Sequence, residues 1–326
     1  MKLKSDRIGR LAACAGLLLA AALLASCGGG GTVVNVFVAN RVIAFGDENS
    51  VIDKATGGKY TVNAVEADLT TINCIANPIW VQTLAARYGL VFDSCNPLAE
   101  PAPVSRIYAT PGAKVADLAG QIALKIKDGG FTNLDMVSIL VGGNDVKEQF
   151  ERYERGEIDL PTATANLNQV GLDLATQLNY VATLGPRVII STVPSLGLAP
   201  YAGRLQAGVA TVRSTILTNL TAALNNALIG TLNNNGHLIG LIQINGYLVS
   251  QDNALFYGGG SYVNTTLGAC LDTAPLPTCT TQTLKSLNGV SANGTTWLWA
   301  DDLHLSAGGQ SALGSLANTL AQNNPF

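Results

Sequence analysis

Charged side chains are scarce in this chain. Asp, Glu, Lys and Arg make up 13% of 326 residues, against 48% hydrophobic ones. That balance excludes an intrinsically disordered protein and allows a sizeable core, in one large domain or two average ones. No basic block follows residue 10 and the net charge is −3, which argues against nucleic acid as a partner. Histidine is rarer still: His237 and His304 are the only two. Few side chains can therefore serve as a general base, and no cysteine pair has a histidine beside it to complete a zinc site. Long apolar runs are missing as well. The one at residues 11–25 is too short and too rich in small residues to span a membrane.

What is present begins with a targeting signal. Lys2, Lys4, Arg7 and Arg10 flank that apolar run, which ends in Leu24-Ala25-Ser26-Cys27. The order of charge, apolar run and tetrad is that of a bacterial lipoprotein signal peptide over residues 1–26, with the Cys27 thiol as the site of lipid attachment. Gly28 to Gly31 read as a flexible tether, so that residues 27–40 link a lipid anchor to a domain over 41–326. The expected location is the bacterial cell envelope. The residue after Cys27 is Gly28 rather than aspartate, which favours the outer membrane. An oxidising compartment also suits the remaining even set of cysteines. Proximity in sequence pairs Cys74 with Cys95 and Cys270 with Cys279 as structural disulfides.

Residues 41–45, 106–109, 136–141, 187–193 and 238–244 read as strands. Helical spacing is found from Pro78 and over 115–126, 167–184, 205–229 and 307–320. Strands alternating with helices predict an α/β fold with a mostly parallel sheet covered on both faces. Residues 246–296, rich in Gly, Asn and Thr, are expected to be an irregular excursion near the site.

Three separated stretches carry chemistry. Asp301 precedes His304 by three residues, close enough to turn back and hold the ring N–H of a general base. His237 follows Asn233-Asn234-Asn235-Gly236 and reads as a turn residue. Asn144 follows a buried strand and two glycines, a place from which an amide donates to a developing oxyanion, and Gly112 can add a backbone N–H. The first stretch is Phe45-Gly46-Asp47-Glu48-Asn49-Ser50.

Together these residues resemble the SGNH, or GDSL, hydrolases. Gly46-Asp47, Gly112, Gly142-Gly143-Asn144-Asp145 and Asp301 to His304 match the four family blocks in order, and Lys59-Tyr60-Thr61-Val62-Asn63 is similar to secreted bacterial members. The resemblance implies a three-layer α/β/α, flavodoxin-like fold with a central parallel sheet of about five strands. It implies hydrolysis of carboxylic esters, of lipids or acylated glycans, through an acyl-enzyme and without metal or organic cofactor. By the same carry-over Gly112 and Asn144 form the oxyanion hole, His304 is the base and Asp301 its partner.

One position departs from the pattern: Glu48 stands where the family has its serine. Three expectations stay open. Ser50 attacks after a two-residue shift of the turn; Glu48 acts itself as nucleophile or base; or the site binds a ligand without ester chemistry. Residues 48 and 50 of one helical turn point to opposite sides, so Ser50 can serve only if the turn is remodelled. A carboxylate beside His304 raises the histidine's pKa and harms an ordinary esterase mechanism.

Overall fold

The structure, a computed structural model, describes residues 37–97, 99–203, 209–233, 238–256 and 258–322. The signal peptide, Cys27, most of the tether and His237 lie outside the described residues.

Five strands form the central sheet: β1 (Arg41–Gly46), β2 (Arg106–Ile107), β3 (Asp135–Leu140), β4 (Arg187–Ser191) and β5 (Ile239–Ile242). All pairings are parallel, in the order β2-β1-β3-β4-β5. This is the flavodoxin-like order, with its switch point between β1 and β3. The strands read as continuous apolar runs because both faces are covered. Ile43, Phe45, Val137, Ile139, Val188 and Ile190 face one core. Val42, Ala44, Met136, Leu140, Ile189 and Ile242 face the other. The first core is closed by α2 (Leu118–Lys127), α3 (Gly143–Glu154), α4 (Leu160–Thr183) and α5 (Val209–Thr231). The second is closed by α1 (Trp80–Ala86), α6 (Ile244–Phe256) and α7 (Ala307–Gln322). The three-layer α/β/α arrangement expected from the sequence is the one observed. No described helix is long and apolar enough to cross a membrane.

Both expected disulfides are formed, Cys74–Cys95 and Cys270–Cys279. The first ties the long connection between β1 and α1 to the segment that follows α1. That connection is also held from inside by Lys59, which is fully buried and donates to the carbonyls of Cys74, Ala76 and Asn77 at 3.0, 2.7 and 3.0 Å. The three carbonyl dipoles offset part of the cost of burying this amine, whose pKa burial still pulls down to about 7.

Residues 246–296 are more regular than expected. They contain most of α6, then β6 (Asn264–Gly268), β7 (Ser286–Leu287) and β8 (Val290–Ser291). β6 runs parallel to β9 (Trp297–Trp299), and Cys270 N donates to Ala300 O at 2.7 Å. The excursion braces the segment that carries Asp301 and His304.

The end of β1 fixes the start of the site. Gly46 has φ +118°, and a Cβ there would lie 1.9 Å from Leu140 O on the neighbouring strand. Only glycine fits. Gly46→Ala is expected to cost more than about 4 kcal/mol, an amount diagnostic of forced backbone displacement, and to leave little folded protein. Urea unfolding followed by circular dichroism measures it; a loss below about 1 kcal/mol would mean that the strands separate easily at this point.

Candidate active site

The site lies beyond the carboxyl ends of β1, β2 and β3, where open α/β sheets bind ligands. Asp47 follows β1 and caps a short 3₁₀ turn over Glu48–Ser50, its carboxylate accepting from Asn49 N. Gly112 follows β2. Asn144 sits in the first turn of α3, behind Gly142, whose φ of +118° turns the chain out of β3. His304 lies in the loop between β9 and α7. Asp301 accepts from the backbone N–H of Leu303 at 2.8 Å and of His304 at 2.7 Å, folding that loop into a tight polar turn.

These side chains converge on one carboxylate. Glu48 Oε2 accepts from Gly112 N at 2.8 Å. Asn144 Nδ2 donates to both Glu48 oxygens, at 3.2 and 3.1 Å. His304 Nε2 is 3.1 Å from Glu48 Oε1, and His304 Nδ1 is 2.9 and 2.8 Å from the Asp301 oxygens. A ring with a carboxylate at each nitrogen satisfies both only as imidazolium, because each nitrogen must then donate. The electrostatics agree. Burial alone would lower the His304 pKa, but hydrogen bonds and charge from Asp301 and Glu48 push it up to about 10. Burial pulls Glu48 upward, yet His304 and the Gly112 N–H hold it below the usual carboxylate range. Asp301 is likewise lowered by His304 against its own burial. Next to this group Asp47, buried and close to the Glu48 charge, is pushed up to about 7. The Tyr60 ring packs beside His304, centroids 5.7 Å apart.

Ser50 is elsewhere. It is 0% exposed, and its Oγ accepts from the Trp80 indole N–H at 3.1 Å. The turn is not remodelled, Ser50 faces α1, and the expectation that Ser50 attacks is corrected. Among the described residues the Trp80 N–H is the hydrogen-bond partner of the Ser50 hydroxyl, and no base is placed to draw its proton. The structure thus brings together Glu48, Gly112, Asn144, His304 and Asp301, and excludes Ser50. Sequence reasoning missed Trp80 as the residue that takes Ser50 away, and Tyr60 as a neighbour of His304. Trp80 leaves no local signal, since it lies thirty residues from Ser50.

The remaining cavity is small, about 30 Å³, lined by residues including Glu48, Asn144, Val193, Leu303 and His304. That is room for one or two waters, far below the several hundred Å³ of a typical ligand site.

No family profile matches the sequence, and no curated protein matches it. Solved structures of similar layer arrangement are found. A lipase from a goat rumen metagenome is 11% identical, with TM-score 0.49 over 88% of this chain and 99% of the other. An extracellular lipase from Streptomyces rimosus is 14% identical, with TM-score 0.45 over 87% and 100%. An acetylxylan esterase from Geobacillus stearothermophilus is 13% identical, with TM-score 0.41 over 88% and 96%.

Proposed function

We propose that the domain over residues 41–326 is an SGNH-type ester-hydrolase scaffold closed by its own Glu48 carboxylate. On this reading it works as an exported binding lipoprotein, without serine-esterase turnover. One observation carries the proposal: Glu48 holds both oxyanion donors and the histidine at once. Its carboxylate stands where the oxygen of a tetrahedral intermediate would be held, so a substrate carbonyl finds no donor free. His304, kept as imidazolium, takes no proton from a nucleophile at neutral pH. A carboxylate stabilised by three donors is itself a poor nucleophile. The ligands that suit the site present a carbonyl or carboxylate oxygen able to displace Glu48 from Gly112 and Asn144. Lipid esters and acylated glycans are the classes that the sequence resemblance implies.

The purified mature chain is expected to show no serine labelled by a fluorophosphonate and no turnover of p-nitrophenyl acetate above buffer. Ser50→Ala is expected to change neither result. Serine labelling abolished by His304→Ala would overturn the proposal. A second reading is favoured by the assembled Asp301–His304 pair: Glu48 itself catalyses. Turnover in the wild type that is lost in Glu48→Gln, with no serine labelled, would select that reading. The anchor proposal rests on the sequence of the first 27 residues, and incorporation of labelled palmitate that is abolished by Cys27→Ala tests it.

A further inference from the structure

A groove of about 410 Å³ lies between the first turn of α6 and the first half of α7, beside Pro78 just ahead of α1. α6 follows β5 directly and α7 follows the His304 loop, so the groove opens at the carboxyl end of the sheet, as the candidate active site does. The two share no residue. One face of α7 makes its floor: Ala307, Gly308, Ser311, Ala312 and Ser315, at the spacing that keeps residues on one side of a helix. None is larger than serine, so the space stays open. Two tyrosines also line the groove. Tyr262 is only 5% exposed, whereas Tyr247 is half-buried. Their hydroxyls lie 3.0 Å apart. A phenol carries one O–H, so one of the two protons is spent between the rings and the other remains to donate to whatever occupies the groove. Ser261 and Ser311 are exposed and add hydroxyls with no other partner among the described residues. Among the described residues that line the groove, none is charged.

Each of these features narrows the occupant. A charged ligand gains nothing here, because no opposite charge meets it and the groove strips part of its water. A purely apolar ligand leaves the hydroxyls without partners. What fits is a neutral molecule with an apolar face and an edge of hydroxyls that both donate and accept, as the groove's own hydroxyls do. A sugar ring has that shape: its C–H bonds make a face for an aromatic ring, and its hydroxyls make the rim. We infer that this groove binds a neutral oligosaccharide, one sugar ring against Tyr247 and its hydroxyls on the tyrosine pair, Ser261 and Ser311. The volume lies within the range of ordinary small-ligand sites. Of the two ligand classes proposed above, the acylated glycan is the one that a groove and a carbonyl site on the same end of the sheet suit. That last step alone rests on the proposed function; the binding itself does not.

The test is calorimetric titration of the full mature chain with cellotriose, xylotriose and tri-N-acetylchitotriose, neutral probes that share the ring face and differ in their substituents. Trigalacturonate is the charged counterpart, and hexanediol offers hydroxyls without a ring. At least one of the neutral trisaccharides is expected to bind saturably, and trigalacturonate and hexanediol at least about tenfold more weakly. Tyr247→Ala, which removes the ring, is expected to weaken that binding at least about tenfold. Ser311→Trp, which fills the floor from an exposed helix position, is expected to do the same while keeping the wild-type melting temperature, so the test stands even if Tyr247→Ala does not fold. Glu48→Gln is expected to leave the binding unchanged, which separates this groove from the other site. No saturable binding of any of the trisaccharides, equal or tighter binding of trigalacturonate or hexanediol, unchanged binding in Ser311→Trp or in folded Tyr247→Ala, or loss of binding in Glu48→Gln would each overturn the inference. Serine labelling by a fluorophosphonate, by contrast, would overturn the proposed function and leave this binding untouched.

Discussion

Glu48→Ser is expected to make this chain reactive toward fluorophosphonates and to raise p-nitrophenyl acetate hydrolysis by about 10²–10³-fold over the wild type. The expectation follows from what the substitution vacates. Removing the carboxylate frees the Gly112 N–H and the Asn144 amide, now bound to Glu48 at 2.8 Å and at 3.1 and 3.2 Å, to receive a substrate oxygen. His304 also loses one of the two carboxylates that keep it protonated and falls back toward the range in which a general base works. Asp301 still holds Nδ1 and leaves Nε2 for the introduced hydroxyl. The double variant Glu48→Ser/His304→Ala is expected to lose the gain. A folded Glu48→Ser protein with neither label nor turnover would show that the loop geometry, and not the identity of residue 48 alone, keeps the site from ester chemistry.

The His304 contribution to stability is expected to fall between about pH 6.5 and pH 10, and much of that fall is expected to vanish in Glu48→Gln. Lys59, whose pKa burial lowers to about 7, adds a rise over nearly the same range that both proteins share. Folded His304 binds its proton with a pKa of about 10, whereas the unfolded chain has the ordinary value near 6.5. Its contribution is therefore complete below about pH 6.5 and is lost as pH rises through 10. Glu48 and Asp301 have the opposite sign: both are lowered on folding, so their contribution is present above about pH 4–5 and is lost as pH falls further. One ion-pair cluster underlies both limbs and is counted once. Each tenfold difference in proton affinity is worth about 1.4 kcal/mol, so the difference between the two proteins is easily resolved. Urea midpoints at pH 6, 8 and 10 for the wild type and Glu48→Gln measure it. A midpoint difference between wild type and Glu48→Gln that stays the same at pH 6, 8 and 10 would remove the imidazolium from the description of the site.

The strands of the sheet were legible because burial on both faces leaves a pattern that survives without neighbours. Residues 136–141 are apolar but for Ser138, and β3 lies at 135–140. α3 was not legible as a helix. Its buried face is Asp145, Val146, Gln149 and Phe150, so half of what it packs inward is polar. Asp145 is spent accepting from Val115 N and Gln149 from Asn166, contacts that no local periodicity displays. α6 was hidden by Asn245 and Gly246 in its first turn, which read as loop residues. Within the site, spacing alone suggested Asp301 with His304 and placed Asn144 after its strand. The contest between Glu48 and Ser50 was not readable, because Trp80 decides it from another helix.

The buried carboxylate has a further consequence. Glu48 is a ligand that the protein carries on a tether, present at a fixed and high local concentration that dilution cannot lower. An oxygen arriving from outside meets free donors only while that tether is away. Its apparent affinity is its intrinsic affinity multiplied by the fraction of time for which the donors are vacant, so a vacancy of about 1% weakens binding about a hundredfold. Compounds that offer one carbonyl and little else lose this competition. Molecules that also hold the surrounding surface survive it, which shifts the burden of selectivity from the polar trio to the walls around it.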